Sequence, residues 1–199
     1  MFKFNLYCIL ICIFQLILSI ENQHQHIPQL QVTVYYESLC PDSVQFIRNQ
    51  LYPTWKELGQ YLQINFIPFG KSSSVNGGQK FVCQHGEKEC VGNKLQSCTL
   101  NQLEGHNDLQ VEFVHCFMTP GPKAKDCASL VGANWDAVKQ CHNSNLGIEL
   151  QLEAEKLTNQ IRPQFIPTVV INGVFDQNHQ DMAQYNFKGI VCNHIPGAC

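Results

Sequence analysis

The feature that most constrains this chain is the distribution of its cysteines. Of 11 in all, Cys8 and Cys12 lie in an apolar leader. The other nine follow it: Cys40, Cys83, Cys90, Cys98, Cys116, Cys127, Cys141, Cys192 and Cys199. Met1-Phe2-Lys3 and the apolar run to Ile20 have the form of a secretory signal peptide over residues 1–20. An uncleaved membrane anchor is the alternative, because the run approaches the length needed to span a bilayer. A polar linker over 21–29 follows, and no later stretch is long and apolar enough for a membrane span. In an oxidising compartment most of the nine cysteines are expected in disulfides. Nine is odd, so at least one has no partner within the chain.

Composition narrows the classes further. The 199 residues fit one domain with a sizeable insertion, and 44% of them are hydrophobic, too many for a disordered chain. Charged residues make up 15% with a net charge of −3, so the basic footprint of a nucleic-acid binder is missing. No Asn-x-Ser/Thr sequon occurs, so no N-glycan is expected.

Periodicity then orders the elements. Leu30, Val32, Val34 and Tyr36 alternate with Gln31, Thr33 and Tyr35, the period of a strand. Cys40-Pro41 opens a helical pattern through Val44, Ile47, Leu51, Trp55 and Leu58, with Pro41 suited to the first turn. Pro53 is expected to kink or split that helix. Leu62, Ile64 and Phe66 alternate again, completing a βαβ unit. Residues 70–78 form a Ser/Gly-rich loop, and the cysteine-rich stretch that follows has weak periodicity. It reads as a stapled, mostly helical insertion at about 70–145. Leu146, Leu150, Ala154, Leu157 and Ile161 then share one helical face, ending before Pro163. Thr168–Ile171, Asn172-Gly173 and Val174-Phe175 carry a hairpin signal. An amphipathic stretch from Met182 to Cys192 is last. The order is α/β, βαβ–αββα with an insertion between the halves, which is the thioredoxin-like order of elements over 30–199.

Cys40 is placed where a strand gives way to a helix. Unpaired N–H groups and the helix dipole there favour the thiolate, which is the nucleophilic form. Asp42 opposes it as a nearby carboxylate. Ser43 stands one turn on, where its hydroxyl is expected to hydrogen-bond the sulfur. It also occupies the position at which dithiol enzymes carry the resolving cysteine. Release of a mixed disulfide then needs a second thiol from outside the site. Pro167, with Ile166 before it, opens the strand that faces this cysteine in a thioredoxin arrangement.

Three segments now carry a resemblance. Tyr35-Tyr36-Glu37-Ser38-Leu39-Cys40-Pro41 is similar to the active-site segment of the gamma-interferon-inducible lysosomal thiol reductase family. Cys83-Gln84-His85-Gly86-Glu87-Lys88-Glu89-Cys90, then Asn93 and Cys98, matches that family's signature at every fixed position. Ile166-Pro167-Thr168-Val169-Val170-Ile171-Asn172-Gly173 resembles its cis-proline segment. The resemblance implies a thioredoxin-like fold and reduction of protein disulfides in endosomal or lysosomal compartments. By residue it implies Cys40 as nucleophile and Pro167 with Ile166 as a substrate-facing loop, in which Pro41 also takes part. Ser43 is the departure, since the pattern has the resolving cysteine there. With Cys40 free, Cys83, Cys90, Cys98, Cys116, Cys127, Cys141, Cys192 and Cys199 suffice for four disulfides, and spacing leaves their connectivity open.

The resulting expectation is a thiol oxidoreductase with a single active-site cysteine, no metal and no cofactor. It would depend on an external thiol such as glutathione, and its partners would be disulfide-containing or unfolded polypeptides. Two other classes compete: a redox-inactive thioredoxin-fold binding module, and a disulfide-stapled secreted scaffold. Zinc at Cys83, Cys90, Cys98 and His85 is disfavoured by the long spacings. His85 reads as a structural hydrogen-bonding residue. The absence of sequons keeps extracellular release beside a lysosomal destination.

Overall fold

The computed structural model describes residues 29–199. The expected signal peptide, most of the polar linker, and Cys8 and Cys12 lie outside the described residues. Strand β1 (Leu30–Tyr36) is the centre of a three-stranded sheet of order β2-β1-β5. It pairs in parallel with β2 (Leu62–Pro68), Val32 opposite Ile64 and Val34 opposite Phe66. On its other edge it runs antiparallel to β5 (Thr168–Ile171), Val34 opposite Val169. Strands covered on both faces lose the clean alternation of half-buried ones. Thus Tyr35 is buried together with Val34 and Tyr36.

Between β1 and β2 runs a helix in two pieces, α1 (Pro41–Phe46) and α2 (Tyr52–Leu58), joined by a π-helical segment over Ile47–Leu51. Pro53 has no N–H to continue the ladder. The chain responds by widening one turn rather than breaking: the N–H of Tyr52 bonds the carbonyl of Ile47, five residues back. Thr54 Oγ1 donates to the Gln50 carbonyl at 2.7 Å.

The insertion begins with a two-stranded ribbon, β3 (Ser73–Val75) and β4 (Lys80–Val82), in the region that reads as a loop in the sequence. Four helices follow: α3 (Glu87–Gln102), α4 (Asn107–Phe117), α5 (Ala124–Leu130) and α6 (Trp135–His142). Disulfides Cys83–Cys90, Cys98–Cys141 and Cys116–Cys127 staple them, and Cys192–Cys199 closes the C-terminal end.

Helix α7 (Asn145–Ile161) differs from the sequence expectation in which face it buries. The buried residues are Gly147, Gln151, Ala154 and Thr158, whereas Leu146 is exposed and Leu150, Leu157 and Ile161 are only partly covered. The cause is close packing on a polar surface. A Cβ at Gly147 would stand 2.6 Å from the Cys141 carbonyl oxygen. The Gln151 amide donates to Ser97 Oγ at 2.7 Å and to the Pro68 carbonyl at 3.2 Å. Periodicity of leucines finds the flanks of such a contact, not its centre.

The expected hairpin after β5 is also shortened. Asn172 and Gly173 make the turn with positive φ, but only one bridge forms, between Ile171 and Val174. Val174 and Phe175 are exposed, and Asp176 accepts the N–H of His179 to cap α8 (Gln177–His194) immediately afterwards. Helix α8 returns over the core through Ala183, Phe187 and Ile190, with Phe187 edge-on to Phe46 at 5.5 Å.

Candidate active site

Cys40 ends the turn after β1 and caps α1, its carbonyl accepting the N–H of Val44 at 3.0 Å. Pro41 occupies the first helical turn, and both it and Asp42 are exposed. Among the described residues Cys40 is the one cysteine outside a disulfide, and 7% of its surface reaches solvent. Its thiol points across to the loop before β5 and donates to the Ile166 carbonyl at 3.6 Å. The Ile166–Pro167 peptide bond is cis. The fold thus brings Cys40, Ile166 and Pro167 together from the two ends of the sheet's central and antiparallel strands.

Ser43 does not take the role expected of it. Its hydroxyl is fully buried and accepts the N–H of Glu37 at 3.4 Å, pinning the turn rather than bonding the sulfur. The helix carries Ser43 beneath the turn, where a main-chain donor left unpaired at the end of β1 reaches it first.

The remaining residues of the turn are gripped by α3. Asn93 Oδ1 accepts the N–H of Ser38 at 2.8 Å, and Ser38 Oγ donates to the Glu89 carbonyl. Glu89 Oε2 accepts the N–H of Leu39 at 3.3 Å and the His85 Nδ1 proton at 2.6 Å. Its Oε1 accepts the His85 main-chain N–H. Helix and turn touch closely enough that a Cβ at Gly92 would stand 2.4 Å from Ser38 Oγ. Glu37, fully buried, approaches the same ring nitrogen, Oε2 being 3.6 Å from Nδ1, while Oε1 accepts the Lys71 N–H. Burial, and then the charge of Glu89, push the Glu37 carboxyl up to about 7.

Glu37, His85 and Glu89 offer three ligand atoms within 4.8 Å of one another. The 2.6 Å separation of His85 and Glu89 is that of a charge-assisted hydrogen bond. The thiols that zinc would need are taken: Cys83 and Cys90 bond each other, and Cys98 bonds Cys141.

The proline loop has its own clamp. Gln180, buried on α8, donates Nε2 to the Pro167 carbonyl at 2.8 Å and accepts the N–H of Val169 on Oε1 at 2.9 Å. Sequence reasoning gave no role to Gln180, Glu37, Glu89 or Asn93. For Glu89 and Asn93 a signal existed: they are fixed positions of the second motif, four residues apart on one helical face. Gln180 carries no signal beyond its helix.

A helix-capping cysteine facing a cis-proline, on a sheet with the parallel pair β1/β2 and the antiparallel β5, defines a thioredoxin-like protein. Solved structures agree on that fold. BdbD from Bacillus subtilis superposes with a TM-score of 0.57 at 14% identity, covering 87% of this chain and 91% of that one. The disulfide bond oxidoreductase DsbG from Mycobacterium tuberculosis gives 0.57 at 16% identity, covering 88% and 84%. The family is narrower. The family described as gamma interferon inducible lysosomal thiol reductase (GILT) matches residues 31–145, and the chain belongs to it. GILT-like protein 1 of Drosophila melanogaster is 35% identical over 188 residues, covering 84% of this chain and 75% of that protein. The gamma-interferon-inducible lysosomal thiol reductase of Carassius auratus is 32% identical over 181 residues, covering 84% and 71%. Among the described residues no helix is long and apolar enough to cross a membrane.

Proposed function

We propose that the protein is a thiol–disulfide oxidoreductase that attacks disulfides of polypeptide substrates through Cys40 alone. The observation that carries this reading is the Cys40 thiol, free of any disulfide and aimed at the carbonyl before a cis-proline. The Cys40 thiolate displaces one sulfur of a substrate disulfide, which leaves as a thiolate, and a mixed disulfide forms. With serine at position 43, a thiol from solution then attacks the mixed disulfide and returns Cys40 to its thiolate. Glutathione is such a thiol, and a second molecule of it completes the two-electron reduction of the substrate. Exposed Leu39 and Phe165, each one residue before Cys40 and Ile166, supply apolar surface for an unfolded chain. The four disulfides fit a secretory or endo-lysosomal setting, and the relatives' names favour a lysosomal one.

The test uses a series of unfolded, disulfide-bearing substrates and a non-reducing gel. A substrate–protein adduct should appear, resolve on adding glutathione, and vanish in Cys40→Ala. No adduct with any substrate would leave a binding module as the better description.

A further inference from the structure

Four consecutive main-chain N–H groups, from Glu37 to Cys40, lie between the end of β1 and the start of α1. None belongs to the sheet or the helix. The N–H of Glu37 donates to Ser43 Oγ, that of Ser38 to Asn93 Oδ1, that of Leu39 to Glu89 Oε2, and that of Cys40 to the Glu37 carbonyl. Two of these acceptors come from α3, 50 and 55 residues away along the chain. The insertion therefore reaches the two residues that immediately precede Cys40.

A buried carboxylate is an unusual way to satisfy one amide. Removing a carboxylate from water is costly unless partners replace the lost hydration. Glu89, fully buried, has three donors: the main-chain N–H and Nδ1 of His85, and the N–H of Leu39. Only His85 connects this cluster to solvent, its side chain being 32% exposed. Near the same Nδ1, Glu37 Oε2 is buried with no hydrogen-bond partner. The groups facing Glu37 are Glu89 and His85 from the start of α3 and its approach, and Lys71, whose main-chain N–H bonds Oε1 while its side chain is exposed. Two carboxyl groups thus share one imidazole beside the turn.

We propose that Glu89 and Asn93 are positioning residues for the Cys40 sulfur, acting through the amides of Leu39 and Ser38, and that His85 orients Glu89. This deepens the function proposed above and rests on Cys40 being the attacking sulfur. It also explains what the second motif does. The Cys83–Cys90 disulfide and the start of α3 hold a carboxylate, an imidazole and an amide against the nucleophile's turn. A proton on Glu37 removes one of two like charges and lets Glu89 keep its grip on Leu39. The alignment of Cys40 with Ile166 follows from that grip, and small misplacements of a reacting atom have large effects on rate.

The experiment measures the rate of Cys40 alkylation by iodoacetamide from about pH 4 to about pH 9, with thiolate ultraviolet absorbance as a readout independent of reagent access. It uses the chain with its four disulfides verified by mass. Glu89→Gln keeps an acceptor for Leu39 but loses the charge. It should shift the midpoint of the thiolate titration and leave the plateau rate within about threefold. Asn93→Ala should change the plateau rate about tenfold with little shift of the midpoint. Glu37→Gln should flatten the parent profile around the pH at which Glu37, pushed up to about 7, loses its proton. Should Asn93→Ala prove unstable, Asn93→Asp, with the acceptor kept, supplies the rescue control. A Glu89→Gln midpoint and an Asn93→Ala plateau rate that both match the parent would overturn the proposal. A parent that alkylates normally yet never attacks a disulfide would overturn the function, and the same profiles would still decide the clamp.

Discussion

Gln180 holds the loop of Pro167 with both ends of one amide, donating to the Pro167 carbonyl at 2.8 Å and accepting the Val169 N–H at 2.9 Å. Both main-chain groups are buried beside it, so water does not replace the side chain when it is lost. Leaving such groups unpaired costs about 1 to 3 kcal/mol each. Gln180→Leu should therefore lower the unfolding free energy by about 3 kcal/mol. It should also slow mixed-disulfide formation by about tenfold, because the loop facing Cys40 is freed. Denaturant unfolding and adduct kinetics measure the two effects. A variant as stable and as fast as the parent would contradict the assigned clamp.

The second expectation concerns pH. The Glu37 carboxyl is pushed up to about 7 from an ordinary value of 4.5, so the folded chain holds this proton more tightly than the unfolded one. The stabilisation is fully present below about 4.5, declines as pH rises, and is gone above about 7. Its span is of the order of 3 kcal/mol at most. Glu37→Gln keeps an acceptor for the Lys71 N–H and removes the titration. Thermal unfolding of this variant should be flatter between those limits and should occur at a higher temperature than the parent's at about pH 8. A parent whose stability rises steadily from about pH 4.5 to about pH 7 would contradict it.

Position 43 offers the third. The Ser43 hydroxyl is buried and serves Glu37, so Ser43→Cys exchanges a good acceptor for a weak one. About 1 kcal/mol of stability should be lost. The same change places a second thiol one helical turn from Cys40, where it can attack the mixed disulfide from within. The variant should release reduced substrate without glutathione, while the parent accumulates adduct. Quenched time courses on non-reducing gels distinguish them, and an adduct equally long-lived in both would remove position 43 from the account of turnover.

How much of this is legible in the sequence depends on what buries each element. Strands β1 and β2 and the start of α1 are readable because apolar residues face an apolar core at the right period. Cys40 and Pro167 are readable from their places at element boundaries and from motif resemblance. The face of α7 is not, because Gly147, Gln151 and Thr158 pack where hydrophobic periodicity looks for leucine. Helix α3 defeats periodicity in the same way, since Glu89, Asn93, Gln96 and Ser97 are among its buried residues. Polar side chains are buried there because they answer donors and acceptors of the Cys40 turn, of Tyr36 and of Gln151. Such partners are distant in sequence, and no local pattern encodes them.

The disulfides yield the last prediction, because their loops differ in length. Cys98 and Cys141 are separated by 43 residues and join α3 to α6, whereas Cys192 and Cys199 are separated by 7 at the chain's end. If a bridge acts chiefly by restricting the unfolded chain, the longer loop contributes about 4 kcal/mol and the shorter about 2.5 kcal/mol. The longer one also keeps α3 against the Cys40 turn, since Glu89 and Asn93 precede Cys98 on the same helix. Replacing Cys98 and Cys141 together by alanine should therefore lower stability more than replacing Cys192 and Cys199. It should also slow Cys40 alkylation, which the C-terminal pair should leave unchanged. Equal losses from the two double variants, measured by denaturant unfolding with equal slopes, would show that the bridge between α3 and α6 stabilises the chain no more than the terminal one, and equal alkylation rates would show that it does not support the site.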